Sequence, residues 1–439
     1  MARLNQVCFA TLGFESESWS LKNYLKIGGY KAWQKVLDGK LKPDEIIEEV
    51  KASGLRGRGG AGFPTGLKWS FMPKDINTQK YLVCNSDESE PGTCHDREIL
   101  RYNPHSIIEG IAITCYACQL DTACFFIRGE WELQAKIMQK AIDEAYENGI
   151  FGSQGLMNGA SDFAVECFQH RSAGAYICGE ETALLEAVEG KRGWPRIKPP
   201  FPAVSGLFGR PTIINNVETL CAVALILERG TDWWQSLGCE SSIGGAASYG
   251  TKLMGVSGHV NNPDVFEVDL GMSLRQLVED YAGGMKGGRA FKGAIAGGVS
   301  MGILGTDQYD AEMDFDIGNK YGVMGLGTAC PTIFDEDTDM VSVARNIARF
   351  FKNESCGQCT PCREGCDWVY KLLCRIEQSE GSMKDLDQLL EVAGSMGIMT
   401  GTTICGLSDG NNWAVRTIVN KFRGEFEARC KPHIVPVTV

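Results

Sequence analysis

Three cysteines near the carboxyl end have the spacing of an iron–sulfur site. Cys356, Cys359 and Cys362 follow one another with two residues between neighbours. Such short intervals form turns that direct successive thiolates at one small inorganic centre, and a cubane cluster needs four thiolates. The spacing therefore predicts an iron–sulfur cluster, electron transfer and a fourth cysteine elsewhere. A zinc site or a group of reduced structural thiols is the alternative, because Cys-x2-Cys also suits tetrahedral zinc.

Two cysteines are candidates for the fourth ligand. Cys366 completes a ferredoxin-like run, but Asp367 follows it where that run has proline, and the last cysteine of two-cluster ferredoxins binds the other cluster. Cys405 is separated from Cys362 by 42 residues that indicate mainly two helices. A helical hairpin could bring Cys405 back to the other three. The spacing alone leaves both candidates open.

A glycine-rich segment precedes the predicted strand 80–85. Its match to G-x-G-x-x-G is weak evidence for an ordinary dinucleotide fold, because a predicted helix precedes it where that fold has a strand. Glycines leave backbone N–H groups free to face an anion, and nearby cations supply charge. We therefore expect a phosphate-bearing cofactor, with a mobile surface loop as the alternative. The residues concerned are Gly57, Gly59, Gly60 and Gly62, with Arg56, Arg58 and Lys68.

Two acidic segments are further candidates for ligand contacts. Asp87, Glu88 and Glu90 follow the predicted strand, and ligands of α/β sheets bind at the carboxyl ends of strands. Carboxylates there can accept hydrogen bonds from ribose hydroxyls and repel a 2′-phosphate, which favours NADH over NADPH. Glu180 and Glu181 open a predicted helix. The alternatives are an exposed acidic turn for the first segment and helix capping for the second.

Two short motifs complete the candidate set. Residues 198–202 form a stiff proline-rich loop that carries a cation, Lys198, and an aromatic ring, Phe201. Asn215 and Asn216 place two amides together, and amides can donate and accept hydrogen bonds at once. Taken alone, such amides are usually turn residues.

Composition limits the class of protein. A chain of 439 residues with 44% hydrophobic content suggests about three globular domains. The amino terminus shows no signal peptide, so we expect most of the 18 cysteines to be reduced. The net charge of -12 argues against general nucleic-acid binding, and no apolar stretch is long enough for a membrane-spanning helix.

The pattern of elements indicates an α/β protein with a helical carboxyl-terminal part. Apolar segments at 107–120, 123–128 and 163–168, with a helical pattern at 131–148, alternate as in βαβ units and suggest a mixed or parallel sheet. We expect domains at 1–240, 241–334 and 335–439. The first has helices at 28–53, the second has strands at 253–258 and 265–268 and a helix at 273–281, and the third has helices at 341–351, 368–377, 383–393 and 413–428.

Together these motifs make the chain similar to the NADH-binding, FMN-containing subunit of respiratory complex I. The resemblance covers nearly the whole chain. It implies a Rossmann-like flavin domain, a ubiquitin-like β-grasp module of the SLBB type and a helical bundle that carries a 4Fe-4S cluster. The segments that carry it are 56–69, 84–92, 174–184, 198–202, 215–219 and 355–363.

The resemblance also implies roles for individual residues. The cluster ligands fall on Cys356, Cys359, Cys362 and Cys405, and not on Cys366. No side chain is implied as a general acid or base, and hydride transfer is positioned by Glu90, Glu180 and Glu181. The cofactor-binding residues that it implies are Gly57, Arg58, Gly59, Gly60, Gly62, Phe63, Gly66, Lys68, Phe71, Asn85, Asp87, Glu90, Tyr176, Gly179, Glu180, Glu181, Lys198, Phe201, Asn215, Asn216 and Thr219.

The implied activity is hydride transfer from NADH to FMN, followed by single-electron transfer to the cluster and quinone reduction by the complex. The implied partners are a thioredoxin-like 2Fe-2S subunit and a larger iron–sulfur subunit. The implied location is the peripheral arm at the inner face of a bacterial inner membrane, or the matrix side in a mitochondrion. The diaphorase subunit of an NAD-linked hydrogenase or formate dehydrogenase is the alternative, and a zinc-binding scaffold is a more distant one.

Overall fold

A four-stranded parallel sheet forms the centre of the amino-terminal part. The structure is a computed structural model that describes residues 5–74, 76–152, 163–241 and 245–431. The strand order is β3-β2-β1-β4, so the carboxyl ends of all four strands lie at one edge. The predicted strands 80–85 and 123–128 match β1 and β2 within one residue, whereas β3 begins later than expected. The strands are β1 (Tyr81–Ser86), β2 (Thr122–Ile127), β3 (Glu166–Arg171) and β4 (Thr212–Asn216).

Both faces of this sheet are buried, which explains its continuous apolar strands. In β1, Leu82 and Cys84 pack into the core of the amino-terminal helices, whereas Val83 points to the opposite face and packs with the carboxyl-terminal helices. The apolar segment predicted at 107–120 is a helix buried almost all round. The helices of this part are α1 (Leu21–Lys26), α2 (Lys31–Leu37), α3 (Pro43–Ala52), α4 (Thr65–Ser70), α5 (His95–Tyr102), α6 (Pro104–Cys118), α7 (Glu132–Glu147), α8 (Glu181–Val188), α9 (Val217–Arg229) and α10 (Thr231–Gln235).

A second, mixed sheet follows a two-stranded ribbon. Its order is β10-β9-β11-β7-β8, with β7 and β11 parallel and the other neighbours antiparallel. The predicted helix 273–281 is one short α-helix that continues as a π-helical turn. The boundary expected near residue 240 adjoins residues 242–244, which lie outside the described residues. The elements are β5 (Gly238–Cys239), β6 (Ser248–Tyr249), β7 (Thr251–Gly258), β8 (Asp264–Asp269), α11 (Leu274–Gln276), β9 (Phe291–Ile295), β10 (Ile303–Leu304), α12 (Gly318–Tyr321) and β11 (Thr332–Asp335).

The carboxyl-terminal part is a helical bundle. The helix expected at 368–377 begins at Thr360, because Pro361 lies in the first turn, where a missing N–H costs nothing. The helix expected at 413–428 is divided in two at Phe422. The helices are α13 (Met340–Glu354), α14 (Thr360–Glu377), α15 (Met383–Ser395), α16 (Leu407–Lys421) and α17 (Arg423–Glu427). A mixed α/β protein with a parallel sheet and a helical carboxyl-terminal region is therefore confirmed.

Buried charges join the amino-terminal part to the second sheet. Lys252 on β7 donates to Glu218 on α9 at 2.5 Å, and both side chains are buried. Glu267 on β8 accepts hydrogen bonds from the backbone N–H groups of Val7 and Phe9 at 2.7 and 2.9 Å. These contacts span large distances along the chain, so the first two parts form one packed body.

Candidate functional site

A cavity of about 420 Å³ opens where the glycine-rich segment meets the carboxyl ends of β1 and β4. The second sheet closes it on another side through residues 297–301 and 324–328, and the bundle contributes residues 405–407. All three parts of the fold therefore meet at one place. The predicted residues that line it are Gly57, Gly59, Gly60, Gly62, Phe63, Lys68, Asn85, Glu90, Tyr176, Gly179, Glu180, Glu181, Asn215, Asn216 and Thr219.

The glycine-rich segment presents backbone to this cavity. Gly60 and Gly62 have positive φ angles of 123° and 63°, a region that favours glycine. A Cβ atom on Gly59 would lie 3.0 Å from the Cβ of Asn216, so the loop approaches β4 closely. The loop is closed by a hydrogen bond of 2.8 Å from the Gly57 N–H to the Phe63 carbonyl. The result is a side-chain-free wall of the kind that accommodates a phosphate.

Two of the three cations expected at this loop face away from the cavity, which corrects the sequence analysis. Arg56 pairs with Asp316 at 3.0 Å and donates to the Gly62 carbonyl. The buried Arg58 guanidinium donates to the carbonyls of Tyr249 and Thr251 at 2.7 and 3.1 Å. Both arginines fasten the loop to the part of the chain that contains the ribbon and the second sheet, and their charges are turned to partners there.

Lys68 supplies positive charge to the cavity. Its Nζ donates to the Ile214 carbonyl at 3.1 Å, which leaves further donor positions free. Burial lowers the pKa of Lys68. The adjacent Trp69 donates from Nε1 to Asn215 Oδ1 at 2.9 Å and thereby orients that amide. A partly buried lysine beside a backbone wall is suited to a phosphate.

The amides at the strand ends are oriented by hydrogen bonds. Asn85 donates to the Gly179 carbonyl at 2.9 Å. Asn216 caps α9 through its side-chain oxygen and donates to Asp96 at 2.6 Å. Thr219 accepts from the Arg58 backbone N–H at 2.8 Å. These contacts fix the cavity wall on the side of β1 and β4.

Glu90 is held in a network with two hydroxyl groups. Its carboxylate accepts from the Ser300 N–H at 2.7 Å, the Ser300 hydroxyl at 2.6 Å and the Tyr176 hydroxyl at 2.6 Å. Burial raises the pKa of Glu90, although these hydrogen bonds oppose the rise. The group lines the cavity but already has strong partners inside the protein.

The second acidic segment caps a helix and also lines the cavity. Glu180 caps α8 by accepting from the N–H groups of Thr182 and Ala183 at 2.8 and 2.9 Å. Lys198 bridges Glu180 and Glu181 at 2.9 and 3.1 Å. The capping alternative therefore holds for Glu180, while both glutamates still line the cavity.

Several predicted residues lie outside the cavity wall. Asp87 is buried and accepts from the hydroxyls of Ser89 and Ser172, each at 2.8 Å. Gly66 is needed for packing, because a Cβ atom there would lie 2.5 Å from the backbone nitrogen of Lys51. Phe71 and Phe201 are 53% and 58% exposed. The predicted residues outside the wall are Arg58, Gly66, Phe71, Asp87, Lys198 and Phe201.

The part of the chain that contains the second sheet supplies cavity residues that the sequence did not predict. Gly297, Ser300, Met301 and Thr328 line the cavity. A Cβ on Gly298 would lie 2.6 Å from Cγ of Glu90, which shows how closely this loop approaches the acidic segment. In the sequence, the adjacent glycines at 297–298 are the feature that could have indicated this close approach. His95 and Asp96, beside the acidic segment, also line the cavity and were not among the candidates.

The four predicted cluster ligands lie at one end of the bundle. Cys356 and Cys359 lie between α13 and α14, Cys362 lies in the first turn of α14, and Cys405 immediately precedes α16. Helices α14 and α15 occupy the interval, as expected for the returning hairpin. Cys359 Sγ accepts from the Ile404 N–H at 3.3 Å, which places the 405 segment beside the cysteine motif.

Cys366 also lies close to this group. It is completely buried on α14, one turn beyond Cys362, and the two thiols interact directly. Cys405, unlike Cys366, lines the cavity. The donor set of clustered thiols suits an iron–sulfur centre. The choice of Cys405 as the fourth ligand stays a prediction.

The cavity also fits a flavin mononucleotide. The glycine backbone and Lys68 offer donors for a phosphate, and the amides of Asn85, Asn215 and Asn216 offer polar contacts at the neighbouring ends of β1 and β4. Aromatic side chains stand at its edge, where the Phe63 and Phe71 rings have centroids 6.4 Å apart. The chemistry of the wall therefore matches a ligand with a phosphate, polar edges and a planar ring.

Comparisons with known proteins agree with this interpretation of the site. The sequence model of the Nuo51 FMN-binding domain matches residues 50–225. The model of the iron–sulfur binding region of NADH-ubiquinone oxidoreductase F matches residues 342–429. The SLBB domain matches residues 253–304, which include most of the second sheet.

Similar proteins match along nearly the full length. The chain is 49% identical over 418 residues to the second F subunit of the NADH-quinone oxidoreductase of Rhizobium meliloti (strain 1021), with 94% of this chain and 96% of that protein covered. It is 45% identical over 421 residues to the F subunit of the NADH-quinone oxidoreductase of Rickettsia rickettsii (strain Sheila Smith), with coverage of 95% and 96%.

A solved structure of an NAD+-reducing nickel–iron hydrogenase in the air-oxidized state is also similar. Its TM-score is 0.81 at 33% identity, with 95% of this chain and 68% of that chain covered. The H2-reduced state gives a TM-score of 0.82. The predicted FMN and iron–sulfur cofactors and the oxidoreductase class are confirmed by the matched domains and relatives. The chain belongs to the family of NADH-quinone oxidoreductase F subunits.

Proposed function

We propose that this chain oxidises NADH at the cavity and passes the electrons singly to a 4Fe-4S cluster at the neighbouring cysteines. FMN, when bound, supplies the conversion between two-electron and one-electron chemistry. The observation that carries the proposal is the shared wall: Cys405, Gly406 and Leu407 line the same cavity as the glycine loop. A flavin in the cavity would therefore lie beside the cluster.

The side chains would contribute binding and orientation. Lys68 and the glycine backbone would hold the phosphate, while Asn85 and the Asn215–Asn216 pair would orient the ring system. Phe63, Phe71 and Phe201 would cover the adenine of NADH. No general acid or base is required for hydride transfer, since placing donor and acceptor in contact is the main catalytic contribution.

We further propose that Glu90, Glu180 and Glu181 position NADH, and that the acidic wall disfavours NADPH. The three carboxylates line the cavity, and a 2′-phosphate would add like charge beside them. Of the three carboxylates, Glu181 is the best placed for direct contact with NADH, because its ion-pair partner Lys198 is itself partly exposed. Glu90 acts through its fixed position between Tyr176 and Ser300.

The four cluster ligands that we propose are Cys356, Cys359, Cys362 and Cys405. The carboxyl-terminal part that carries them also exposes three apolar side chains, Trp368, Ile398 and Met399, which are 53%, 49% and 73% exposed. Exposed apolar groups of this kind mark interaction sites. They support a neighbouring electron acceptor in a multi-subunit complex.

We propose a thioredoxin-like 2Fe-2S subunit and a larger iron–sulfur subunit as the partners, and the peripheral arm at the inner face of a bacterial inner membrane as the location. None of the helices in the described part of the chain has the length and apolar character needed to cross a bilayer. We also retain domain boundaries near residues 240 and 334. The hydrogenase alternative is less favoured, because the chain spans 96% of the F subunits but 68% of the hydrogenase chain.

The deciding experiment is anaerobic titration of the cofactor-loaded chain with NADH and, separately, with NADPH. We expect NADH to bleach the flavin absorbance and a reduced-cluster EPR signal to develop, while NADPH at the same concentration has little effect. A correctly bound flavin that neither nucleotide bleaches would overturn the proposal. Equal bleaching by both nucleotides would remove the NADH preference alone.

A further inference from the structure

A buried cluster of ionisable side chains forms part of the cavity wall and has no role in the function proposed above. Glu88, His95 and Asp96 line the cavity, and Glu218 and Lys252 lie behind them. His95 Nδ1 lies 3.1 Å from Glu218, 3.2 Å from Asp96 and 3.7 Å from Glu88. The imidazole is thus surrounded by three carboxylates, and we call these five residues the buried ionic cluster.

Part of the cluster lacks well-aligned hydrogen bonds. His95 is 1% exposed and Asp96 is 2% exposed, and within the described residues His95 Nδ1 and Asp96 Oδ1 are held by ion-pair contacts and not by a well-aligned hydrogen bond. The two atoms are close, but their geometry does not form one. A buried polar atom without an aligned hydrogen bond has room for a further partner, such as a water or a ligand. Because both residues line the cavity, this partner can reach them from the cavity side.

Other roles explain only some of these groups. Glu88 accepts from the N–H groups of Asp96 and Arg97 at 2.7 and 3.2 Å, so it also caps the amino end of α5. Glu218 accepts from the Leu253 N–H at 2.9 Å and joins α9 to the second sheet. Neither role uses the imidazole of His95. A buried lysine within the cluster also argues against a cation site.

The electrostatics of the cluster favour bound protons. Burial and Lys252 lower the pKa of His95, but Asp96, Glu218 and Glu88 outweigh them and hold it well above its ordinary value. Burial raises the pKa of Glu88 to about 8, although His95 opposes this rise. His95 is therefore cationic near neutral pH, and Glu88 is the group that titrates just above it.

The charged groups that face His95 and Glu88 come from several elements. Asp96 lies on α5, Glu218 on α9 and Lys252 on β7, and each interacts electrostatically with His95. Charge added to the cavity would act on all of them, because their side chains are buried and poorly screened by solvent. The other titratable or charged residues that act on the cluster in the described part of the chain are Cys8, Arg58, Cys84, Cys94, Arg97, Glu267 and Cys330.

We propose that the buried ionic cluster is a proton-exchange site that takes up one proton from solvent when a flavin bound in the cavity is reduced. The inference rests on the proposed function. Hydride transfer from NADH carries two electrons and one proton, so NADH leaves as NAD+ and the bound isoalloxazine gains one negative charge. A negative charge beside a carboxylic acid stabilises its protonated form. Glu88 is the group that holds the additional proton, and His95 is the cation that positions and tunes it.

The pH window follows from the sign of this shift. Below about pH 8, Glu88 is protonated before reduction and takes up nothing. Above about pH 8 it is ionised before reduction, and the added negative charge returns a proton to it. The flavin midpoint potential should therefore fall with pH more steeply in that upper range, by one additional proton for each two electrons.

The test is spectroelectrochemical titration of the flavin in the FMN-loaded chain at a series of pH values from about 6 to about 10. The native chain is compared with Glu88→Gln, which keeps an acceptor for the Asp96 N–H. We expect Glu88→Gln to lose the additional slope above about pH 8. Glu109→Gln is the matched control, because Glu109 is also buried and burial raises its pKa, but it bonds Tyr24 and does not line the cavity. This control should keep the native slope.

Two variants at His95 keep the proposal testable if Glu88→Gln does not fold. His95→Gln removes a positive charge that lowers the pKa of Glu88, so the steeper region should move to higher pH. His95→Lys restores the charge and should move it back, which a purely structural role would not do. The proposal would be overturned if the flavin midpoint potential depended on pH in the same way in the native chain and in every variant that folds. The electrode reduces the flavin without NADH, so a failure of NADH oxidation would be recognised separately.

Discussion

At the scale of single residues, the position of a charged side chain in the fold decides whether it can act on a ligand in the cavity. Arg56, Arg58 and Lys68 lie within thirteen residues of one another and have the same sign. The two arginines bind Asp316 and backbone carbonyls of the second sheet, whereas Lys68 reaches the cavity. Sequence reasoning correctly expected a cation beside the glycines. It could not select among them, because their partners lie more than 140 positions away.

The role of Lys68 gives a prediction for cofactor binding. Lys68→Gln should weaken FMN binding about tenfold to hundredfold, because a hydrogen bond to a charged group contributes about 1.5–3 kcal/mol. Quenching of flavin fluorescence during titration of the apoprotein would measure the affinity. Lys40→Gln, at an exposed lysine paired with Asp38, is the matched control and should bind FMN normally. Equal affinities of the native chain and Lys68→Gln would contradict a phosphate contact at this residue.

At the scale of elements, the beginning of α14 arranges the cysteines. The helix begins at Thr360, eight residues before the expected start, and this places Cys362 and Cys366 on successive turns. Cys366 consequently points into the bundle and is completely buried. Cys405 comes from the loop before α16 and reaches the cavity. The hairpin of α14 and α15 could be predicted, but the direction of each thiol depends on where the helix starts.

This arrangement predicts different results for the two candidate ligands. Cys405→Ala should lose most of the iron and acid-labile sulfide, whereas Cys366→Ala should retain both, because only the first removes a proposed ligand. Iron and sulfide analysis with low-temperature EPR of the reduced protein would measure the outcome. Loss of the cluster in Cys366→Ala, with retention in Cys405→Ala, would reverse the ligand assignment.

At the scale of the whole molecule, the cavity exists because three parts of the fold meet. Buried charges hold two of them together, including Glu267, which accepts hydrogen bonds from the backbone of Gln6, Val7 and Phe9. Burial raises the pKa of Glu267 to about 6, although these hydrogen bonds oppose the rise. The amino-terminal segment is thus fixed to the second sheet by a carboxyl group that titrates in mildly acidic solution.

The sign of this shift predicts a pH dependence of stability. Between the ordinary glutamate pKa of 4.5 and about 6, the folded state binds more protons than the unfolded state, so the free energy of unfolding falls as pH rises. Glu267→Gln should remove that component of the slope. Urea unfolding midpoints of the cofactor-loaded chain across this range would measure it. Glu48→Gln, at an exposed carboxylate, is the control, and an unchanged slope in Glu267→Gln would contradict the prediction.

The sequence by itself determined the chemistry and the class of fold. The Cys-x2-Cys-x2-Cys run, the glycine loop and the apolar strands are local patterns, and local spacing and periodicity are sufficient to recognise them. Only the tertiary structure decided which of these residues share a wall. Arg58 donates to backbone carbonyls outside the cavity, and Asp87 accepts hydrogen bonds from Ser89 and Ser172. His95 lies among carboxylates that come from different elements. These contacts depend on the packing of three parts of the chain, because burial and charge pairing act across space and not along the sequence.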